Sequence, residues 1–338
     1  MTAPNPSDLQ PHDVLIIGSG MAGLAAAEAA GAAGLSVLIL DKGRRIGGRV
    51  ATRRAEGFTF NHGAQFLTAR HPDFITACTG AADHDALVSW QVAGRSALCG
   101  APTMRDFPAH LGTGFEIRQA VEVTRIEIGS GAVTLHDKDG PVASGRQLVI
   151  TAPAPQAARL LQDVDPDLAA TAGMAEYAPC WTGMYGFDAE HLPPMADPLR
   201  NDSGPVGWAV WEDHRPATPA GGGASLVVQA APDWSIAHLE EDSADVAETL
   251  FAAWRDQSGL SPEAPSYISA HRWRYARVTT PAPADAARIS ADRRIALAGD
   301  WLTGARIEDA WLSGRQAMAR LLDTDRTPLY GCHKSETG

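Results

Sequence analysis

Lysine is nearly missing from this chain. Of 338 residues only Lys42, Lys138 and Lys334 are lysines. Arginine supplies the rest of the positive charge, and carboxylates exceed both, for a formal net charge of −12 at pH 7. That sign argues against nonspecific nucleic-acid binding and against attraction to anionic membranes. No apolar run approaches the ~20 residues of a membrane-spanning helix. Cysteine is scarce as well: Cys78, Cys99, Cys180 and Cys332 form no CxxC pair, and no His/Cys cluster has metal-ligand spacing. A disulfide framework and a metal centre are therefore not expected, and the thiols are expected to be buried or idle. Residues 1–12 are polar and proline-bearing, without the basic and apolar regions of a signal peptide. They read as a short disordered lead, and the protein as cytoplasmic. There is no internal repeat.

What is present centres on Val14 to Arg49. An apolar run, Val14-Leu-Ile-Ile17, stops at Gly18-Ser-Gly20-Met21-Ala22-Gly23. An alanine-rich, helix-prone segment follows, then a second apolar run, Val37-Leu-Ile-Leu40, ending in Asp41. Strand, glycine turn, helix, strand and acid in this order make the βαβ dinucleotide-binding pattern. Gly18 permits the tight turn, Gly20 lets the backbone approach a pyrophosphate, and Gly23 lets the helix pack close to the sheet. The helix N-terminus faces the phosphates with free N–H groups and a positive dipole. Asp41 is placed to accept from ribose hydroxyls.

Just beyond, Gly47-Gly48-Arg49 lies in a basic segment with Lys42, Arg44, Arg45, Arg53 and Arg54. A plain NAD domain has no use for a second glycine pair here. A flavin enzyme of the glutathione-reductase type does, because a second loop closes over the pyrophosphate of its extended FAD. Arginine brings a fork of donors for phosphate oxygens. FAD is therefore the expected dinucleotide, touched by Gly47, Gly48 and Arg49. Taken singly, Arg44, Arg45, Arg53 and Arg54 read as a solvated loop.

With 45% apolar and 20% charged residues, the chain suits two domains with a large shared core. Phe58–Phe60 reads as a short strand. The turn after it, Asn61-His62-Gly63-Ala64-Gln65, has the small residues that bring backbone up to an isoalloxazine edge. Helices are expected over 72–82, 104–111, 155–161, 243–257 and from about Ile307 to Leu322. Strands are expected over 88–92, 121–128, 132–136, 148–150, 267–275 and 295–300, with aromatic-rich strands within 178–230. The block 116–152 reads as a small antiparallel insert returning to the main sheet. Ala298-Gly299-Asp300 closes the last strand. In extended-FAD enzymes the Asp of a terminal Gly-Asp holds the ribitol chain, and the helix N-terminus beyond it faces flavin N1 and O2. The expected fold is α/β with an α+β second domain. A Rossmann-type FAD-binding domain is discontinuous in sequence (13–75, 112–160 and 290–325). An antiparallel-sheet substrate domain (76–111 and 161–289) lies over the flavin, and 326–338 form a tail.

Several segments together resemble the bacterial branch of the renalase family, among the amine-oxidase-like and p-hydroxybenzoate-hydroxylase-like flavoproteins. They are Gly18–Gly23 with Asp41, Gly47-Gly48-Arg49, Gly63-Ala64-Gln65, Pro232-Asp-Trp234-Ser, His271-Arg-Trp273-Arg-Tyr275, Ala298-Gly-Asp-Trp-Leu302 and Ala310-Trp-Leu-Ser-Gly314. The likeness runs from about residue 13 to 322. The resemblance implies a non-covalent FAD oxidase acting on the 2- and 6-dihydro isomers of NAD(P). It would return them to NAD(P)+ and pass the electrons to O2, giving hydrogen peroxide. It also implies flavin contacts at Ala22, Asp41, Lys42, Arg49, Gln65, Val123, Asp300 and Ile307.

That chemistry agrees with what the chain lacks. A dihydropyridine is electron-rich, and hydride transfer to flavin N5 leaves an aromatic cation with no proton to abstract. The protein need only stack the ring against the flavin and exclude water. Candidate walls are Gln65, Met104, Trp181, Trp234, His271 and Trp273, with Tyr275 beside them; no catalytic acid, base or metal is assigned. His271 and Trp273 alternate on one strand and so share a face. His62, His136 and His214 read as surface or structural. Two other readings stay open. Amine oxidases typically carry a lysine that holds a water against flavin N5, and none of the three lysines here is placed for it. Rab GDP-dissociation inhibitors resemble this fold and bind partners without flavin chemistry, against which the intact phosphate motifs and Asp300 argue.

Overall fold

The structure, a computed structural model, describes residues 9–188, 198–201, 203–218, 223–260 and 262–322. Residues 1–8 of the expected lead, the expected tail with Cys332 and Lys334, and Gly221-Gly222 lie outside them. The chain opens with β1 (Pro11–Ile17), α1 (Met21–Ala32) and β2 (Val37–Asp41), then the hairpin β3 (Arg53–Ala55) and β4 (Phe58–Phe60). Next come α2 (Pro72–Ala82), the hairpin β5 (Leu87–Val92) and β6 (Arg95–Gly100), and α3 (Asp106–Leu111). β7 (Glu116–Gln119), β8 (Arg125–Ile128), β9 (Val133–His136) and β10 (Pro141–Ile150) lead to α4 (Ala154–Leu161) and α5 (Pro166–Gly173). β11 (Glu176–Asp188), β12 (Leu199–Arg200), β13 (Val206–Trp211) and β14 (Gly223–Ala230) precede α6 (Pro232–Ala237) and α7 (Ser243–Ser258). The last elements are β15 (Tyr267–Thr280), β16 (Ile295–Leu297) and α8 (Ile307–Leu321).

Seven strands form one sheet in the order β7-β2-β1-β10-β9-β8, with β16 also paired to β10. β7, β2, β1, β10 and β16 are mutually parallel, whereas β8, β9 and β10 form an antiparallel meander. Alternation along β1 explains its unbroken apolar run. Val14 and Ile16 pack under α1 and α8 with Ala26, Ala30 and Met318. Leu15 and Ile17 face the other way, among Leu161 and Leu168 of α4 and α5. A parallel strand covered on both faces needs apolar side chains at every position. The second sheet is antiparallel, β12-β13-β14-β11-β15. One face buries Trp181, Tyr185 and Trp211 against Phe251 and Trp254 of α7. Met184, Trp208 and Val227 belong to the opposite face, packed with Phe60 and Leu67. Among the described residues no helix is long and apolar enough to cross a membrane, and no cluster could hold a metal.

Four departures from the sequence reading bear on the sheet that carries the cofactor turn. β1 begins at Pro11, so the last two residues of the expected lead are already in the sheet. The strand expected over 121–128 is limited to Arg125–Ile128. Residues 121–124 cross over the strand ends instead, with the Val121 amide donating to the Asp41 carbonyl and that of Thr124 to His136. The sheet position beside β2 is taken by β7, which pairs parallel and is therefore not part of an antiparallel insert. α5 was not foreseen, although Asp165 caps it and Pro166 starts it.

The two glycines of the α1 turn divide the labour cleanly. A Cβ at Gly23 would collide with the carbonyl oxygen of Gly18, whereas one at Gly20 would meet nothing within 4 Å. Gly23→Ala should therefore destabilise the apoprotein by about 1–3 kcal/mol. Gly20→Ala should leave apoprotein unfolding within about 0.5 kcal/mol of the parent and weaken only dinucleotide binding. Denaturant melts of both apo variants, with flavin titration, check this; equal melts for the two would refute it.

Candidate active site

Between the two sheets lies a cavity of about 1990 Å³. Pockets for single small ligands run to roughly 1,000 Å³, so this one has room for a dinucleotide cofactor and a second ligand. Gly18, Gly20, Met21, Ala22 and Asp41 line one end. α1 starts there with Gly20 as N-cap, no side-chain cap and no acid in its first turn. Its first N–H groups are left for a ligand, which is what a pyrophosphate requires. Gly23 is not in the lining; it closes the turn behind it, as its spacing implies. Asp41 is more committed than expected. It accepts from the Ser19 amide and hydroxyl at 2.6 Å each, and from the Gly43 amide at 2.6 Å. Three of its roughly four acceptor positions thus hold the turn together. Lys42 lines the margin, 3.8 Å from Glu122, and Val123 lies beside them.

Gly47, Gly48, Arg49, Gly299, Asp300 and Ile307 all line the middle of the cavity. Arg49 and Asp300, expected as separate cofactor contacts, form one unit. The guanidinium donates to both carboxylate oxygens at 2.8 and 2.6 Å and to the Ala276 carbonyl at 3.1 Å. Burial works against the Arg49 charge, but Asp300 outweighs it and raises the guanidinium above its ordinary range. Any phosphate contact falls to its remaining N–H groups. The α8 N-terminus also differs from expectation. Asp309 accepts from the Arg306 amide and guanidinium at the start of the helix, and Glu308 accepts from the Arg70 and His71 amides, so two acids offset its dipole.

The far end is built by the turn after β4. His62, Gly63, Ala64 and Gln65 line it, facing His271 and Trp273 of β15. His62 stacks on Trp273 with centroids 5.4 Å apart, and His271 meets both rings edge-on. Trp273 Nε1 donates to the His62 carbonyl at 2.9 Å. Burial, then His271 and Arg53, push the His62 pKa down to about 3. Burial and Arg53 bring His271 to about 4. Both rings are neutral at physiological pH. The Gln65 amide is used internally, donating to the Asn61 and Gly63 carbonyls and accepting from Arg215.

Three expected walls are elsewhere. Met104 is fully buried with Phe107 and Phe74. Trp181 lies on the α7 side of the second sheet, its Nε1 donating to the His238 carbonyl. Trp234 stacks on His238, 3.8 Å between centroids. The side chains that do line this end include His62, Trp208 and Gln229, which sequence reasoning passed over, and Tyr275, which it named. Trp208, Gln229, Thr182 and His271 fall in one cross-strand row, a register that strand pairing alone sets. Cys180 also lines the cavity; burial pushes its thiol up to about 11. Cys78 and Cys99 are buried free thiols.

A glycine turn at an uncapped helix, a second glycine loop and a Gly-Asp strand end surround one cavity under an antiparallel sheet. This defines a dinucleotide-dependent flavoprotein oxidoreductase. The match to known families is specific. Residues 16–77 match the NAD(P)-binding Rossmann-like domain, and residues 81–322 match the flavin containing amine oxidoreductase family. The chain belongs to the latter family, and its cofactor is FAD. Among curated relatives, it is 44% identical over 63 residues to an L-amino-acid oxidase of Demansia vestigiata and 40% identical over 58 residues to the 4,4'-diapolycopene oxygenase of Methylomonas sp. These matches span 18% and 17% of this chain and 12% of each relative. Among solved structures, a protein assigned as a protoporphyrinogen oxidase from Exiguobacterium sp. 255-15 aligns with TM-score 0.72 at 16% identity, covering 93% of this chain and 100% of that one. Cyclohexylamine oxidase from Brevibacterium oxydans IH-35A aligns at 0.67 and 14%, and putrescine oxidase bound to putrescine at 0.66 and 12%, each over 93% of this chain and 99% of the other. At these identities the likeness is one of fold.

Two outcomes follow from the geometry. Arg49→Ala leaves Asp300 buried without its partner. The cost should fall below the ~3–5 kcal/mol of a fully buried pair, since a third of the Arg49 side chain is exposed. Flavin content after dialysis should drop as well, and Arg49→Lys should recover part of both. Unchanged melting and full flavin in Arg49→Ala would dissolve the unit. The second outcome concerns acid. His62 and His271 stay neutral in the fold to about pH 3 and 4, whereas unfolded histidines protonate near ~6.5. Between those values the unfolded chain binds more protons, so stability is complete above about pH 6.5 and falls as pH drops towards 4. His271→Gln should flatten that slope in urea melts taken from pH 7 to 4; an unaltered slope counts against the assignment.

Proposed function

We propose that this protein is an FAD-dependent oxidase of misreduced dihydronicotinamide dinucleotides. Its substrates would be the 2- and 6-dihydro isomers of NAD(P), its products NAD(P)+ and hydrogen peroxide. The observation that supports this most strongly is electrostatic. In a protein of net charge −12 the cavity wall draws arginines from many segments, Arg53, Arg54, Arg95, Arg105 and Arg200 among them. Its carboxylates are Asp41, Glu122 and Asp300, each already engaged. Such a wall favours a polyanion and disfavours an ammonium cation.

FAD, held by Gly18–Ala22, Gly47–Arg49 and Asp300, would supply the two-electron acceptor between substrate and O2. The chain's part is positioning. Trp273 and His62 offer a flat, uncharged wall for a dihydropyridine ring. Gln229 Nε2, donating to the Gly63 carbonyl at 2.7 Å, fixes the turn that carries His62. The histidine pKa values of about 3 and 4 leave neither ring titrating near neutrality, and hydride loss from a dihydropyridine calls for no base. In this reading 13–75, 112–160 and 290–325 serve the cofactor, and 76–111 and 161–289 serve the substrate.

Amine oxidation is the second reading, and the family match and the fold of putrescine and cyclohexylamine oxidases favour it equally. The lysines weigh against it: Lys42 sits by Glu122 at the margin, and Lys138 pairs with Asp139 in a hairpin turn at 2.6 Å. Anaerobic mixing with 2-, 4- and 6-dihydro-NAD, and separately with monoamines, distinguishes the two. Flavin absorbance should bleach with the 2- and 6-dihydro isomers, at a rate nearly flat from about pH 6 to 9. Rapid bleaching by monoamines, rising with pH, with none from any dihydro isomer, would overturn the proposal.

A further inference from the structure

Three arginines of the cavity wall, Arg45, Arg54 and Arg105, come together near the ring wall. Asn61, next to His62, accepts on Oδ1 from the Thr52 hydroxyl at 2.7 Å and from the Met104 amide at 2.8 Å. Arg105 follows Met104. Its amide donates to Thr52 Oγ1 at 3.2 Å, and its guanidinium donates to the Thr52 carbonyl. Arg105 is thus pinned beside the β3–β4 hairpin, while its Nε is buried without a partner. Arg54 is two residues along that hairpin from Thr52. Arg45 precedes Gly47, whose position packs on Pro108 of α3, the helix that Arg105 opens. All three arginines line the cavity.

Their charge is not compensated. Among the described residues none of the three is within 4.0 Å of a carboxylate. Asp106, next to Arg105, is turned back onto the Thr103 amide and hydroxyl at 2.9 and 2.6 Å. Burial, then Arg45, hold the Arg105 guanidinium below its usual range, Asp106 offsets part of this, and Arg54 adds to it. Guanidinium groups gathered on a cavity wall without counter-charges repel one another, and an anion between them relieves that repulsion while filling open donor positions. Carboxylate and phosphate both satisfy a guanidinium fork. Three forks from three segments suit a group with several anionic oxygens.

We infer that Arg45, Arg54 and Arg105 form a phosphate subsite, which takes the anionic tail of a ligand whose ring lies against His62 and Trp273. The identity of that tail, the pyrophosphate of a dinucleotide, rests on the proposed function; the existence of the subsite does not. It is set apart, in this proposal, from the cofactor's own pyrophosphate cradle at Gly18–Ala22, and flavin retention in the variants tests that separation.

The test uses flavin-loaded protein, as wild type, Arg54→Gln and Arg105→Gln. Calorimetry with inorganic pyrophosphate and with NAD+ reads the subsite directly. Both variants should raise the Kd for each probe about tenfold or more and lower the salt dependence of binding, with full flavin content. In anaerobic flavin reduction, 2- and 6-dihydro-NAD should show the same raised Kd with an unchanged limiting rate. The corresponding 1-methyl-dihydronicotinamides, which have the ring and no phosphate, should react as with wild type. If Arg105→Gln fails to fold, the exposed Arg54→Gln decides. Unchanged Kd values in the folded variants overturn the subsite, as does failure of wild type to bind either probe. Loss of flavin in both variants assigns the arginines to the cofactor and also overturns it. If no dihydro isomer bleaches the flavin but pyrophosphate binding still depends on these arginines, the oxidase reading fails and the subsite stands for another phosphate ester.

Discussion

Among the contacts that join the two halves of the molecule, one buried amide is central. Asn61 sits at the end of β4 with almost no exposed surface, and every polar atom of its side chain has a partner. Its backbone and side-chain N–H groups both donate to Glu212, which follows β13 in the second sheet, at 2.7 Å each. Glu212 in turn pairs with Arg215 at 2.8 Å, both side chains 3% exposed. Arg215 donates to both oxygens of Gln65 and lies over Trp90, 4.7 Å from the ring centroid. Desolvating such an ion pair cancels most of its Coulomb energy, so its net contribution to stability is small. What such a connected polar network does provide is a single geometry.

That geometry matters because the cavity belongs to no single element. The glycine loops come from the parallel sheet, the ring wall from the antiparallel one, and the turn at His62 stands between them. Hydride transfer depends steeply on the distance and angle between two rings, and an error of about 1 Å is costly. The Arg49–Asp300 pair repeats the device in the middle of the cavity, tying the second glycine loop to the segment just after β16, 251 positions away in sequence.

The sequence displays the βαβ unit openly because its determinants are local. Apolar runs set the strands, Gly18 and Gly23 set the turn, and all lie within a span that folds on itself. The parity of the second sheet is a different matter. Along β11, Trp181 and Thr182 point to opposite faces, and periodicity alone cannot say which face meets α7 and which the cavity. Trp181 looked like a wall for that reason and is core. His62 was read as surface or structural because a histidine in a small-residue turn has no pattern around it; its partners, Trp273 and His271, are more than 200 residues away. β7 was hidden by a half-exposed edge-strand pattern that an amphipathic loop also fits. Met104 was assigned to the wall, but its backbone amide is tied to Asn61, and its side chain turns into the core.

The near-absence of lysine has a chemical consequence inside the cavity. Among the described residues, the single primary amine in the lining is Lys42, at the margin. The positive field there comes from guanidinium groups, which do not titrate in the physiological range and do not condense with carbonyl compounds as amines do. Cys180 completes the picture. An oxidase of the proposed kind would release peroxide into the cavity that this thiol lines, but peroxide attacks the thiolate form. With its pKa pushed up to about 11, the sulfur stays protonated and unreactive. If the proposed reaction runs here, a lining whose thiol is held in this form would resist the peroxide it releases.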